Sequence, residues 1–214
     1  MAETASPQSS TPTGPAFESP VVRDYPTSEA GGLTLTDVSA TTKWLVCASA
    51  DGPTADVLGA RFGSSQVAPG GALVLGSRPG EWIILGTPSE VDATVADLNG
   101  LDSDEFASAL DWTHSRAMFR VTGSEATRML EKVCGIDWCD HMTPDGAVLS
   151  ASVALVTCDL ARNDVSQDGT SSRPSYLIFC DRSFGQYLFD ALIDAGDEFG
   201  LTVLAGSVSE EPLG

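Results

Sequence analysis

The side chains best equipped for chemistry fall in two short stretches. Cys134, Asp137, Cys139, Asp140 and His141 place thiols, carboxylates and an imidazole within eight positions, donors of the kind that ligate zinc. A structural site needs four ligands, and C-x4-C-x-H with no second ligand pair downstream does not supply them. Cys134 also falls on the apolar face of a helical pattern, so the cluster is read as buried or incidental cysteines. Asp111, Thr113, His114 and Ser115 offer a carboxylate, a hydroxyl and an imidazole in five residues. On a strand, adjacent side chains point to opposite faces, which keeps His114 and Ser115 from acting as base and nucleophile. They are read as a polar strand opening.

The remaining candidates have simpler readings. Gly76–Gly80 and Pro69-Gly70-Gly71 sit in or before a hairpin, whereas a dinucleotide fingerprint needs G-x-G-x-x-G between a strand and a helix. Trp82 and Trp112 could stack on a ligand but lie in strand patterns that read as core. Arg116, Arg120 and Arg128 are spread over a strand and a helix, and are read as ion-pair partners in an acid-rich chain. Cys47, Cys158 and Cys180 occupy apolar runs and are read as core. The expectation is therefore no catalytic, cofactor-binding or metal-ligating residue on this chain.

The elements that must carry these residues alternate between strand and helix signals. Lys43–Cys47, Ala72–Gly76 and Glu81–Gly86 are β-rich runs. Thr87-Pro88-Ser89-Glu90 opens a helix with a capping box and proline in the first turn, and Asn99-Gly100 stops it. Ala117–Val121 is a strand, followed by an amphipathic helix over Ser124–Cys134 that Gly135 ends. Ala147–Thr157 and Tyr176–Cys180 read as strands. Ser183-x-x-Gln186 reads as a second capping box, opening a helix whose apolar face is Phe184, Tyr187, Leu188, Ala191, Leu192, Ala195 and Phe199.

The two halves match each other. Leu35-Thr-Asp37-Val-Ser39 and Leu110-Asp111-Trp-Thr113 lead into the parallel runs Trp44-Leu45-Val46 and Phe119-Arg120-Val121. Pro69-Gly-Gly-Ala72 parallels Pro144-Asp-Gly-Ala147, and Glu81–Leu85 parallels Ser175–Phe179. The expected fold class is α+β: two related βαββα units with antiparallel sheets and helices packed on them. The first would span 33–105 and the second 106–206, the latter with a longer hairpin loop at Arg162–Arg173. Residues 1–32, rich in Ser, Thr and Pro, are read as an extended or disordered arm, either a tail or a segment that orders by lying on another subunit, with Phe17, Val21, Val22 and Tyr25 as the side chains such an arm would dock. Residues 207–214 are read as a polar tail.

Composition narrows the function classes. Thirty acids against eleven bases give a net charge of −19. Duplex or anionic-membrane binding, which needs clustered Lys and Arg, is disfavoured, and Lys43 and Lys132 are the lysines. No apolar run approaches the roughly 20 residues of a membrane helix, and Met1–Pro20 lacks the pattern of a signal peptide. Five cysteines, an odd number, fit a reducing cytoplasm better than a disulfide framework.

Asp111–Gly123 (DWTHSRAMFRVTG) resembles a strand of the gamma subunit of heterotetrameric sarcosine oxidase. The likeness continues in Ala126–Asp137, in Arg182–Leu192 and in the hairpin Arg78–Gly86, and covers about Leu33–Ala205. That family in turn resembles the folate-binding fold of the glycine-cleavage aminomethyltransferase, whose Gly-Gly-x-x-Asp-Asp strand brings a carboxylate near folate. Here Gly70-Gly71 is followed by Val74 and Leu75, and the acidic group is missing. The Lys-Gly-Cys-Tyr/Phe-x-Gly-Gln-Glu run of the iron–sulfur-assembly relatives has no counterpart. The resemblance implies an aminomethyltransferase-like fold and a structural subunit of a flavoenzyme complex that demethylates sarcosine to glycine. Its partners would be alpha, beta and delta subunits, which would carry FAD, FMN, NAD, tetrahydrofolate and zinc. The alternatives are a stand-alone folate-dependent aminomethyl or methyl transferase, and the equivalent subunit of an oxidase for another N-methylated amine.

Overall fold

Two sheets face each other through apolar side chains, and helices cover their outer faces. A computed structural model describes residues 16–27, 32–101, 104–167 and 171–205. The first half contains β1 (Leu33–Asp37), β2 (Thr42–Cys47), α1 (Pro53–Leu58), β3 (Ser65–Val67), β4 (Leu73–Arg78), β5 (Glu81–Gly86) and α2 (Pro88–Asn99). The second contains β6 (Ser108–Asp111), β7 (Arg116–Gly123), α3 (Ala126–Glu131), β8 (Val148–Val153) and β9 (Val156–Arg162). It continues through β10 (Val165–Gln167), β11 (Ser171–Arg173), β12 (Ser175–Asp181), α4 (Gly185–Gly196) and β13 (Thr202–Leu204).

The spatial orders are β3-β4-β5-β2-β6 and β8-β9-β12-β7-β1-β13. Element by element these are the same sheet, with β13 added in parallel to β1. Each half exchanges its first strand: β1 pairs with β7 and β6 pairs with β2. The βαββα kernel is present in both halves (β2 α1 β4 β5 α2 and β7 α3 β9 β12 α4), flanked by β1 and β3 or by β6 and β8. The Pro69 and Pro144 segments are not equivalent, because Ala72 leads into β4 whereas Ala147 leads into β8, the counterpart of β3.

Strand alternation assigns each side chain to a layer. Along β5, Ile83 and Leu85 face the other sheet while Trp82 and Ile84 face the helices; along β12, Leu177 and Phe179 face inward while Tyr176, Ile178 and Cys180 face out. Leu73, Leu75, Ile83 and Leu85 thus meet Met118, Val148, Ala161, Leu177 and Phe179 between the sheets. Leu58 of α1 and Val91 of α2 complete one outer core; Met129, Leu130, Leu188, Phe189 and Leu192 of α3 and α4 complete the other. Each such buried side chain removes enough apolar surface to contribute about 1.5–3 kcal/mol. Gly76 of β4 has no Cβ for a reason: one would stand 2.1 Å from the Arg61 carbonyl oxygen of the loop crossing it.

Several expectations need correction. Ala147–Thr157 is not one strand but a hairpin, β8 and β9, reversed at Ala154-Leu155 with φ of 47° and 69°. Neither residue is glycine, and left-handed backbone costs about 1–2 kcal/mol per such residue. The Ser124–Cys134 helix is shorter, Ala126–Glu131. Gly100 stops α2 as expected, but with φ −82° rather than in the left-handed region. Ser183 caps nothing: Arg182–Phe184 is a 3-10 turn with no side-chain cap. On α4, Leu188, Leu192 and Ala195 are buried as expected and Phe189 joins them, whereas Tyr187, and Phe184 in the preceding 3-10 turn, are about half exposed. The Arg162–Arg173 loop contains the ribbon β10–β11.

The described part of the arm packs against α4 and β13 of its own chain. Gln186, expected in a capping box, instead accepts the Val22 and Arg23 amides through Oε1 (2.8 and 3.1 Å). Its Nε2 donates to the Tyr25 hydroxyl at 2.8 Å. Arg23 pairs with Asp190 at 2.6 Å, Tyr25 leans on Phe189 with ring centroids 5.3 Å apart, and Thr27 bridges Val203 in parallel. A Cβ on Gly185 would meet Pro20 at 2.6 Å, so α4 begins with the one residue that admits the arm. Phe17, Val21 and Tyr25 are half-buried, but Val22 is exposed. Residues 1–15, 28–31 and the tail 207–214 lie outside the described residues.

Candidate functional site

The inter-sheet layer is apolar at its centre, and buried charged side chains lie within it and on the outer side of β9. Asp159 of β9 points inward and is almost wholly buried. Its carboxylate accepts from Ser150 Oγ at 2.6 Å, Arg116 at 2.7 Å and Arg78 at 3.2 Å. Arg116 also reaches Asp181 at 2.9 Å and lies 5.1 Å from the Trp112 ring centroid. Its Nε is buried without a partner. Arg78, half exposed, also pairs with Glu81 at 3.2 Å. It comes from β4, so this group of charges ties one sheet to the other.

A second cluster is centred on buried Arg162. It grips Asp164 with both forks at 2.9 and 3.0 Å, and gives its third nitrogen to Asp140 at 2.6 Å and the Thr143 carbonyl at 2.7 Å. The bonds to Asp164 hold its guanidinium further above the usual range. Arg120 donates to Ser175 Oγ and Asn163 Oδ1 at 3.0 Å each, and burial lowers its pKa.

Lys43 is fully buried, and its Nζ donates to the Ser39 and Thr41 carbonyls at 2.6 and 2.7 Å. It thereby pins the crossover from β1 to β2, one of the chain's passages between the two sheets. Burial pulls its pKa down to about 7 from 10.5, against the attraction of Asp37 and Asp111. A lysine shifted down binds fewer protons in the fold than in the unfolded chain between those values, so its contribution to stability rises with pH from about 7 to 10.5. Below that window the burial penalty is fully present. Urea unfolding of the wild type and Lys43→Met at pH 6.5 and 9.5 is expected to show this rise only in the wild type, as the difference between the two proteins.

The residues singled out from the sequence do not converge. Cys134 is core, Cys139 and His141 are exposed, and Asp137 accepts the Cys139 amide at 3.0 Å. Among the described residues no group of three or more His, Cys, Asp or Glu is placed to hold a metal ion. His114 and Ser115 lie in a turn, not on a strand: the Ser115 hydroxyl donates to the Trp112 carbonyl at 3.1 Å, and His114 meets Phe17 at 5.4 Å. Thr113 Oγ1 accepts the Lys43 amide at 3.0 Å. Cys158 and Cys180 are buried thiols pushed up to about 12 and about 11 by burial, hence protonated at neutral pH. Trp82 is buried and donates to the Ala60 carbonyl at 2.7 Å, while Trp112 packs partly buried against the inter-sheet core. Gly70 and Gly71 pack against α2 and Glu90. Val74 is buried on the helix side and Leu75 between the sheets.

An open cleft of about 660 Å³ runs between α1 and the β4–β5 turn, lined among others by Asp56, Arg61, Phe62, Arg78 and Trp82. Its charges are mixed, and Arg78 is committed to Glu81 and Asp159. Arg116 and Arg128 are ion-paired as expected, Arg128 with Glu125 at 2.6 Å. Not foreseen are Asp159 as the buried acid that gathers Arg116 and Arg78, and buried Lys43, although an acid or a lysine at an inward position of an apolar strand was the available signal.

No family model matches the chain, and no curated protein matches it. Solved structures do. A chain of the heterotetrameric sarcosine oxidase from Corynebacterium sp. U-96, in complex with pyrrole 2-carboxylate, superimposes with a TM-score of 0.63 at 22% identity, covering 79% of this chain and 87% of that one. The glycine cleavage system aminomethyltransferase T from Bartonella henselae superimposes with a TM-score of 0.57 at 13% identity, covering 81% of this chain and 48% of that one. This chain thus spans about half the length of the aminomethyltransferase. No helix among the described residues is long and apolar enough to cross a membrane. The chain has the aminomethyltransferase-like α+β fold, in a form that also occurs as one chain of a heterotetrameric oxidase.

Proposed function

We propose that this chain is the structural gamma subunit of a cytoplasmic heterotetrameric sarcosine oxidase, the flavoenzyme that converts sarcosine, oxygen and water to glycine, formaldehyde and hydrogen peroxide, or delivers the one-carbon unit to tetrahydrofolate. The supporting observation is mutual coverage: the sarcosine oxidase chain is accounted for over 87% of its length by 79% of this one. Its partners are alpha, beta and delta subunits, and FAD, FMN, NAD, tetrahydrofolate and zinc belong to them. The side chains agree with a packing role. Buried arginines and Lys43 are spent on carboxylates and carbonyls within the fold, and the buried thiols are protonated.

The rival with a specific observation behind it is a stand-alone folate-dependent transferase, which the second structural likeness favours. Val74 and Leu75 weigh against it, because an apolar pair cannot take up or hold a proton. The test is co-expression of the tagged chain with its neighbouring reading frames. A yellow complex that consumes oxygen on sarcosine, with the chain alone inactive, is the expected result. A colourless chain that binds tetrahydrofolate unaided would support the transferase instead.

A further inference from the structure

Leu155 is the most exposed large apolar residue among the described ones, at 93%. It also sits, with Ala154, in left-handed backbone that no other described non-glycine residue adopts. A two-residue hairpin turn of this type favours Asn-Gly, which would remove both the strain and the exposed side chain. The turn is held from two sides: the Ala154 amide donates to the Val133 carbonyl at 2.8 Å, and the Tyr187 hydroxyl donates to the Ala154 carbonyl at 3.0 Å. Tyr187 and Phe184, one helical turn apart, are themselves 51% and 49% exposed. The result is an apolar projection that its own hairpin geometry and these two hydrogen bonds hold rigid.

We propose that this projection is the knob by which the chain docks into an apolar socket, rimmed by basic side chains, on a larger subunit. Charge chooses the occupant. A second copy would bring another net charge of −19 against the first, whereas a partner with a basic rim is drawn to this subunit's excess of carboxylates. A pre-organised projection loses little freedom on docking, and Tyr187 beside Leu155 is a residue type that dominates interface energetics. The inference rests on the subunit reading above and adds the surface that reading needs.

The test uses two variants in the co-expressed complex. In Ala154→Asn/Leu155→Gly the turn gains its preferred residues and loses its tip; in Leu155→Asp the tip becomes charged. Both complexes are expected to dissociate at a concentration about thirtyfold higher than wild type, while the double variant alone unfolds at a higher temperature than the wild-type chain. If both variant complexes dissociate where the wild type does, the knob is overturned and the subunit reading stands. If the wild-type chain brings down no flavoprotein, both fall. A wild-type homodimer that Leu155→Asp splits would overturn the proposal in favour of a second copy.

Discussion

Replacing Asp159 by leucine is expected to lower the free energy of unfolding by about 3–5 kcal/mol, because a buried guanidinium loses its counter-charge. Arg116 is only 14% exposed, and its remaining carboxylate, Asp181, is largely in solvent. The Ser150 hydroxyl loses its acceptor as well. The same group predicts a contrast. Arg78 is 45% exposed and has Glu81 as a second partner, so its own replacement should cost about 1 kcal/mol or less. Adding Arg116→Met to Asp159→Leu should recover most of the loss, since an apolar pair of similar volume tolerates the site better than a lone charge. Urea titration of the three variants measures all of this, and equal costs for Arg78 and Asp159 would show that the carboxylate is not the centre of the group.

Phe189→Ala is expected to cost about 3–5 kcal/mol through cavity formation, and to loosen the N-terminal arm with it. The ring is buried, edge-on to Phe119 with centroids 5.1 Å apart, and supports Tyr25 of the arm on its other side at 5.3 Å. Hydrogen exchange provides the separate readout. The Val22 and Arg23 amides, bonded to Gln186, should lose protection more than the rest of the protein does. If they keep their protection while global stability falls, the arm is held by its polar contacts alone.

Local signals translated directly into structure. Thr87 and Glu90 form the reciprocal capping box, Glu90 giving its amide to Thr87 Oγ1 at 3.3 Å and Thr87 its amide to Glu90 Oε2 at 2.8 Å. All the information for that helix start lies within four residues. The β5 and β12 runs were equally plain, since near-continuous apolar sequence marks strands buried on both faces. The halves matched because their kernels are the same structure.

What could not be read is non-local or contradicts local preference. The exchange of β1 and β6 between sheets is invisible to periodicity, because a strand's pattern says which face it buries and not which partner it takes. Asp159 and Arg78 are 81 residues apart. The Ala154-Leu155 reversal carries no turn residue, so apolar Val153-Ala154-Leu155-Val156 looked like the middle of one strand. Gln186 matched a capping pattern, but its amide group holds the arm instead. The candidate chemical residues were legible as types and misleading as a set: His114 lies in a turn against Phe17, and Cys134 is core while Cys139 is exposed.

The central claim, that this chain works as a packing subunit of a flavoenzyme, is tested most directly by sedimentation velocity of the chain produced with its neighbouring reading frames, followed in the flavin absorption band. The account predicts one boundary in which this chain and the flavin travel together at the mass of a four-chain assembly. Flavin sedimenting in one boundary and this chain in another, at the mass of the free polypeptide, would contradict it.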